Sequence, residues 1–299
     1  MKGIILSTFL CFLGSISAQS NIWENADSLN TKRTLITSSS VFSLWTGSAI
    51  GLSQIWYKDY PKSKFHTFND ADNWLQMDKM GHIYTANKIS GLTTDLMRWS
   101  GLKNNTASWI GFGVGLGYQT TFEILDGYSQ AWGFSWSDMT ANALGSALHL
   151  GQNLAWGEER FILKFSYHPT EFAALRPNVL GSTQTERFLK DYNGQTYWLS
   201  FSPFAFTPHL KKYAWICLSL GYSAHEKIIG DEAIYVNTEG NASYHASREF
   251  ICSLDIDFSK LPIQKKWLKT LVSQFNYIKI PFPAVRFTKG ISYGHYLYF

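Results

Sequence analysis

Residues 138–167 read DMTANALGSALHLGQNLAWGEERFILKFSY, and the change of period inside this stretch decides the fold. Up to Trp156 the residues recur at helical spacing: Asp138 and Asn142 are four apart, and Gly145 continues their face. From Arg160 the pattern becomes alternation, with Phe161, Leu163, Phe165 and Tyr167 on one side. A helix therefore ends near Trp156 and a strand begins near Arg160. Working outward, three further helices precede this one and only strands, with one exception, follow it. The expected class is α+β: an N-terminal four-helix unit over about 34–156, then an antiparallel β-rich unit, either a sheet or a small barrel.

On the N-terminal side, residues 34–57 carry no charged side chain, a length sufficient to cross a bilayer, yet rich in Ser, Thr and Gly. A spanning helix and a buried bundle helix are both consistent with this. Residues 78–99 place Ile83, Ala86, Ile89, Leu92 and Leu96 on an apolar stripe. Residues 106–125 alternate glycine with apolar residues at 110–117, which a strand could use. The same glycines form small-residue pairs, 111/115 and 113/117, suited to close helix packing, and the length favours a helix. Ser135 or Ser137 caps the fourth helix. On the C-terminal side, runs near 197–201, 215–222, 248–258 and 291–299 alternate, and Asn193-Gly194 marks a turn. The exception, 263–277, combines Trp267, Leu268, Leu271 and Phe275 with Lys265, Lys266 and Lys269. It reads as a basic amphipathic helix, packed on the sheet or lying on an anionic membrane.

The ends and the composition set the compartment. Residues 1–18 have a lysine start, an apolar run and a small-residue exit at Ala18, the pattern of a secretory signal peptide. Cys11 stands in a poor lipoprotein context. The domain reading is thus 1–18 leader, 19–156 helical unit and 157–299 β-rich unit. The 299 residues contain 26 Lys plus Arg and 22 Asp plus Glu; this mild, dispersed +4 argues for no nucleic-acid partner. Aromatic residues equal charged ones at 16%, which excludes disorder and suits an envelope protein with membrane or envelope components as partners. Cys217 and Cys252 are consistent with one disulfide or with two buried free thiols acting as small apolar residues.

Three helices each bring a polar pair into apolar surroundings: Asp78 with His82, Glu123 with Asp126, and Asp138 with Asn142. Buried carboxylates are costly unless paired or ligating. If these faces converge, His82 oriented by Asp78 is a candidate acid/base pair. Glu123, Asp126, Asp138 and Asn142 are then candidate substrate or ion ligands, with a divalent cation as the cofactor such a site would take. Helix capping and hydrogen bonding account for the same residues without chemistry. No nucleophile elbow, zincin motif, Walker loop or CxxC is present.

The run Asp78-Lys79-x-x-His82, Glu123-x-x-Asp126, Gly133 to Asp138 and Asn142-x-x-Gly145 resembles the YfiM-type family of predicted periplasmic lipoproteins, DUF2279, over about 70–156. It is faintly similar to the VanZ-like membrane proteins. The segment Asp191 to Trp198 resembles the extension of longer members. The resemblance implies an exported location and a compact helical unit, and supplies no reaction. The expectation is an exported protein of the periplasm or outer membrane with a structural or partner-binding role. The alternative is an envelope hydrolase or transferase acting on a lipid or cell-wall phospho-substrate through the His/carboxylate site.

Overall fold

A computed structural model describes residues 22–58, 60–237 and 241–299; the expected leader, with Cys11, lies outside the described residues. Helix α1 is Thr31–Trp56, α2 is Met77–Trp99, α3 is Asn104–Gly127 and α4 is Trp136–Trp156. The glycine-rich stretch is thus helical. Ser135 is the cap that starts α4, accepting a hydrogen bond from the Asp138 amide at 3.1 Å, and Gly157 ends it at φ 70°. Helix α1 is capped by Asn30 and is the one described helix long and apolar enough to cross a membrane.

Helices α2, α3 and α4 pack closely because small residues lie where they cross. A Cβ on Gly145 would fall 2.1 Å from the Ile83 carbonyl, and one on Gly111 or Gly115 would meet the Ser90 or Ala86 carbonyl at 2.4 or 2.6 Å. The 113/117 pair does not share this role: Gly113 faces open space and Gly117 faces Trp45 of α1. Gly145→Leu is expected to destabilise the helical unit by about 1–3 kcal/mol, read as a lowered urea midpoint, whereas Gly113→Leu should leave it unchanged.

The interior of the bundle is polar. Asn87, Ser90, Thr94, Ser108, Gln119, Asn142, Ser146 and His149 are buried, while Leu92, Trp109, Leu144 and Leu154 are exposed. Of the apolar stripe read along α2 only Ala86 is fully buried; Ile83, Ile89 and Leu96 are half-buried and Leu92 is exposed. Short hydroxyl side chains satisfy themselves on their own helix, as Thr94 does by donating to the Ser90 carbonyl at 2.8 Å and Ser108 to the Asn104 carbonyl at 2.8 Å. They can be buried cheaply and allow close approach where leucine cannot.

After α4 the chain enters β1 (Phe161–Tyr167), followed by short helices α5 (Pro177–Leu180) and α6 (Gln184–Lys190), then β2 (Gln195–Phe201) and β3 (Ile216–His225). A small β4–β5 pair (Ile234–Asn237, Ala242–His245) precedes β6 (Ser247–Ile256). Helix α7 (Lys266–Ser273), continued by a 3-10 turn to Tyr277, leads to β7 (Phe282–Thr288) and β8 (Ile291–Tyr298). The amphipathic helix is thus shorter than the 263–277 expected. The main sheet runs β1-β2-β3-β6-β7-β8, antiparallel throughout.

The small-barrel alternative is corrected. A single bridge from Phe165 to Ile278 brings the lead-in of β7 against β1, but β1 and β8 remain edges and the sheet does not close. The disulfide alternative is corrected too: both thiols are free, and of the two expected to be buried only Cys217 is, Cys252 being exposed on the sheet. Leu220, not Cys217, stands opposite Cys252 in the register.

The two faces of the sheet differ in an unusual sense. One buries Lys164 against Asp255 at 2.9 Å, with Ser200, Ser219 and Trp198 beside them. The other carries Tyr197, Phe165 and Ala224, on which Met77 and Tyr84 of α2 pack, and continues into exposed Leu218, Leu220, Phe250 and Leu254. Tyr84 also donates to the Tyr277 carbonyl at 2.7 Å, which fixes the helical unit on the β1–β2 side.

Candidate functional site

Asp78 lies in the first turn of α2 and His82 one turn further; Asp138 and Asn142 stand likewise at the start of α4. Helix α3 runs the other way, so Glu123 and Asp126 near its end meet them. All six residues singled out in the sequence gather at this end of the bundle. Their centre is Lys79. Its ammonium lies 2.6 Å from Asp138 Oδ1, 3.0 Å from Asp78 Oδ2 and 2.8 Å from Asp70 Oδ1. Asp70, in the loop before α2, also accepts from the Ser135 and Ser137 hydroxyls at 2.6 and 2.7 Å.

His82 Nδ1 is 2.9 Å from Asn142 Oδ1, which also accepts from Gln119 at 3.2 Å. The ring sits 3.7 Å from Glu123 Oε1 through Nδ1 and 3.9 Å from Asp138 Oδ1 through Nε2. Asp78 does not orient His82 by a hydrogen bond; it pairs with Lys79, and Asn142 orients the ring. Glu123 Oε2 accepts from the Ser135 amide at 3.3 Å, while Glu123 Oε1 and Asn142 Nδ2 have no hydrogen-bond partner among the described residues. Asp126 accepts from the Tyr57 hydroxyl at 2.8 Å.

Five carboxylates gather here and three of them pair with one ammonium, and proton affinities follow from that imbalance. Burial, then Asp138 and Asp126, pushes Glu123 up to about 9. Burial also raises Asp126 to about 7 against the Tyr57 hydroxyl, and Asp138 to about 6 against His82 and Lys79. Asp78 is raised by burial. Asp70 alone goes down, to about 2: burial opposes this, but Lys79 and the two serine hydroxyls outweigh it. The Lys79 ammonium is held charged, burial notwithstanding, by Asp78 and Asp138.

The cluster is graded in depth. The His82 side chain is 21% exposed and that of Glu123 1%. Ligand atoms of His82, Glu123 and Asp138 lie within 4.8 Å of one another, and so do those of Asp70, Asp78 and Asp138. The second set is already taken by Lys79. The first would suit a small divalent ion, with one nitrogen and two oxygen donors.

Sequence reasoning missed Asp70 and the central role of Lys79. Asp70 lies in an aperiodic loop, and a lysine beside a helix start reads as a solvated charge. A second polar station was also missed. His149 Nδ1 is 2.7 Å from Glu159 and its Nε2 3.0 Å from the Thr94 hydroxyl, with Lys88 3.9 Å from Glu159. Glu159 is held down at about 2, burial being outweighed by Lys88 and His149. The order resembles a nucleophile, base and acid array, but Thr94 is fully buried and its hydroxyl donates to its own helix. His149 continues the Asp138, Asn142, Gly145 face by one more turn, which was the available signal.

Residues 67–152 match a family model described as predicted periplasmic lipoprotein (DUF2279). The match spans the whole cluster from Asp70 to Asn142 and excludes the sheet. The description agrees with an exported protein of the periplasm or outer membrane. No curated protein and no solved structure matches the chain.

Proposed function

We propose that this exported envelope protein has a structural, non-catalytic role, and that the His/carboxylate cluster is the fastening of its helical unit. The observation that carries this reading is Lys79, whose ammonium joins the loop before α2, the start of α2 and the start of α4 within 3.0 Å. The start of α4 is thereby locked to the start of α2 and the loop before it, 59 residues away along the chain, and breaking a buried pair strands charge at large cost. On this reading Asn142 and Gln119 hold His82 in place.

A second reading, an envelope hydrolase or transferase on a lipid or cell-wall phospho-substrate, draws support from the part-exposed ring of His82 between Glu123 and Asp138. There His82 would move a proton, and a divalent ion on Glu123 and Asp138 would hold a phosphate oxygen.

His82→Ala and His82→Gln separate the two. On the structural reading, His82→Ala lowers stability by about 1–3 kcal/mol and cellular abundance with it, and His82→Gln restores both by keeping a polar partner for Asn142. On the enzymatic reading both variants fold and accumulate normally, yet neither complements a deletion strain challenged with detergent. Mn²⁺ or Zn²⁺ added to chelator-treated protein then raises the unfolding temperature of the wild type and of both variants, which keep Glu123 and Asp138, but not of Glu123→Gln.

A further inference from the structure

The sheet carries a feature that the cluster does not explain. Along β3 and β6 the alternation is inverted relative to a water-soluble sheet. Ser219, Ser253 and Asp255 point to the covered side, and Leu220, Cys252 and Leu254 to the open side. Val285 and Phe287 of β7 extend the open patch. Helix α2 covers this face only at β1, β2 and the far end of β3, through Met77 and Tyr84 against Tyr197, Phe165 and Ala224. What remains is a continuous apolar surface with a groove of about 610 Å³ between β6, β7 and β8. A surface of this kind marks a contact with another apolar phase.

Its border identifies that phase. In the register, Phe201, Leu218 and Leu254 mark one end of the sheet. The connections that leave this end, residues 203–213 and 257–281, carry an excess of lysine among aromatic side chains. In α7 the side chains of Trp267 and Leu271 are exposed, with Lys265 and Lys269 beside them; neither lysine makes an ion pair among the described residues. Lys212, in the other connection, lies 4.9 Å from the Tyr213 ring centre. An apolar face bordered by aromatics and unpaired lysines complements acyl chains bordered by anionic headgroups.

We propose that the open face of the β3-β6-β7 sheet beds into the acyl layer of an anionic phospholipid leaflet, with α7 at headgroup level and the β6–β8 groove taking an acyl chain. This stands apart from the Lys79 cluster and survives whichever reading of that cluster is right.

Cys252 lies in the middle of the face and Cys217 is buried, so a single thiol label reports on it. The full chain carrying Cys11→Ser, labelled at Cys252 with an environment-sensitive fluorophore, is diluted from mild detergent into phosphatidylglycerol or phosphatidylcholine vesicles and floated. The expected result is flotation with phosphatidylglycerol, a blue-shifted label and quenching by acyl-chain bromines. Lys265→Gln with Lys269→Gln should weaken binding roughly 25-fold, about fivefold per lysine. Leu220→Asp with Leu254→Asp should weaken it roughly 100-fold or more, with near-UV circular dichroism unchanged. Absence of flotation, or flotation with the label still in water, overturns the proposal. Equal binding to phosphatidylcholine overturns the anionic assignment. A label buried without lipid as protein concentration rises overturns it in favour of a second copy of the chain.

Discussion

Lys79→Met is expected to cost the helical unit about 3–5 kcal/mol at neutral pH, more than the crowding substitution at the Gly145 crossing. The ammonium is the one lysine or arginine charge paired with Asp70, Asp78 and Asp138 among the described residues, and methionine keeps its length while removing its charge. Three carboxylates would then face one another in a space that admits little water. The loss should show as a lowered urea midpoint. It should be recovered in part by adding Asp138→Asn, since that change removes the carboxylate nearest the lost ammonium. A double-mutant cycle showing no coupling between positions 79 and 138 would exclude the fastening role.

The second large effect is on pH dependence. Glu123, Asp126 and Asp138 are raised to about 9, 7 and 6 in the folded protein. A carboxyl raised in this way binds its proton more tightly folded than unfolded. Its contribution to stability is therefore complete below the unfolded value and is lost as pH rises towards the folded one. Stability should fall from pH 5 to pH 9, by at most about 1.4 kcal/mol per pH unit for each group still titrating. Asp126 and Asp138 act mainly below pH 7, and Glu123 alone above it. Asp70, lowered to about 2, works in the opposite sense and only below pH 4. Urea unfolding at pH 5.5, 7 and 8.5 reads the slope. Glu123→Gln, an imitation of the protonated acid, should flatten the limb between pH 7 and 9 while leaving stability at pH 7 nearly unchanged. A flat wild-type profile over that limb would mean that Glu123 is not buried as described.

The sequence made the helices legible because caps and spacing are local signals: Ser135 before Asp138 and the glycines of α3 act within a few residues. The convergence of His82, Glu123 and Asp138 was legible for a related reason. Polar pairs at helical spacing in apolar surroundings must meet something, and three short-linked helices meet one another. Asp70 was not legible, because its position depends on a loop folding back onto the Ser135 and Ser137 hydroxyls from 65 and 67 residues away. Alternation along β6 gave its two faces but not which one is covered. That choice is set by Lys164 reaching Asp255 across 91 positions, beyond any local pattern.

The polar interior of the bundle has a consequence for biogenesis. A newly exported chain in water is drawn to collapse around its leucines and tryptophans, yet here Leu144, Leu154 and Trp109 end outside and Ser90, Asn142 and His149 inside. Collapse in bulk water thus favours an arrangement opposed to the final one. Refolding from urea into plain buffer is therefore expected to be slow and prone to aggregation, and faster in the presence of mild detergent that shelters apolar side chains while hydroxyls and amides find each other.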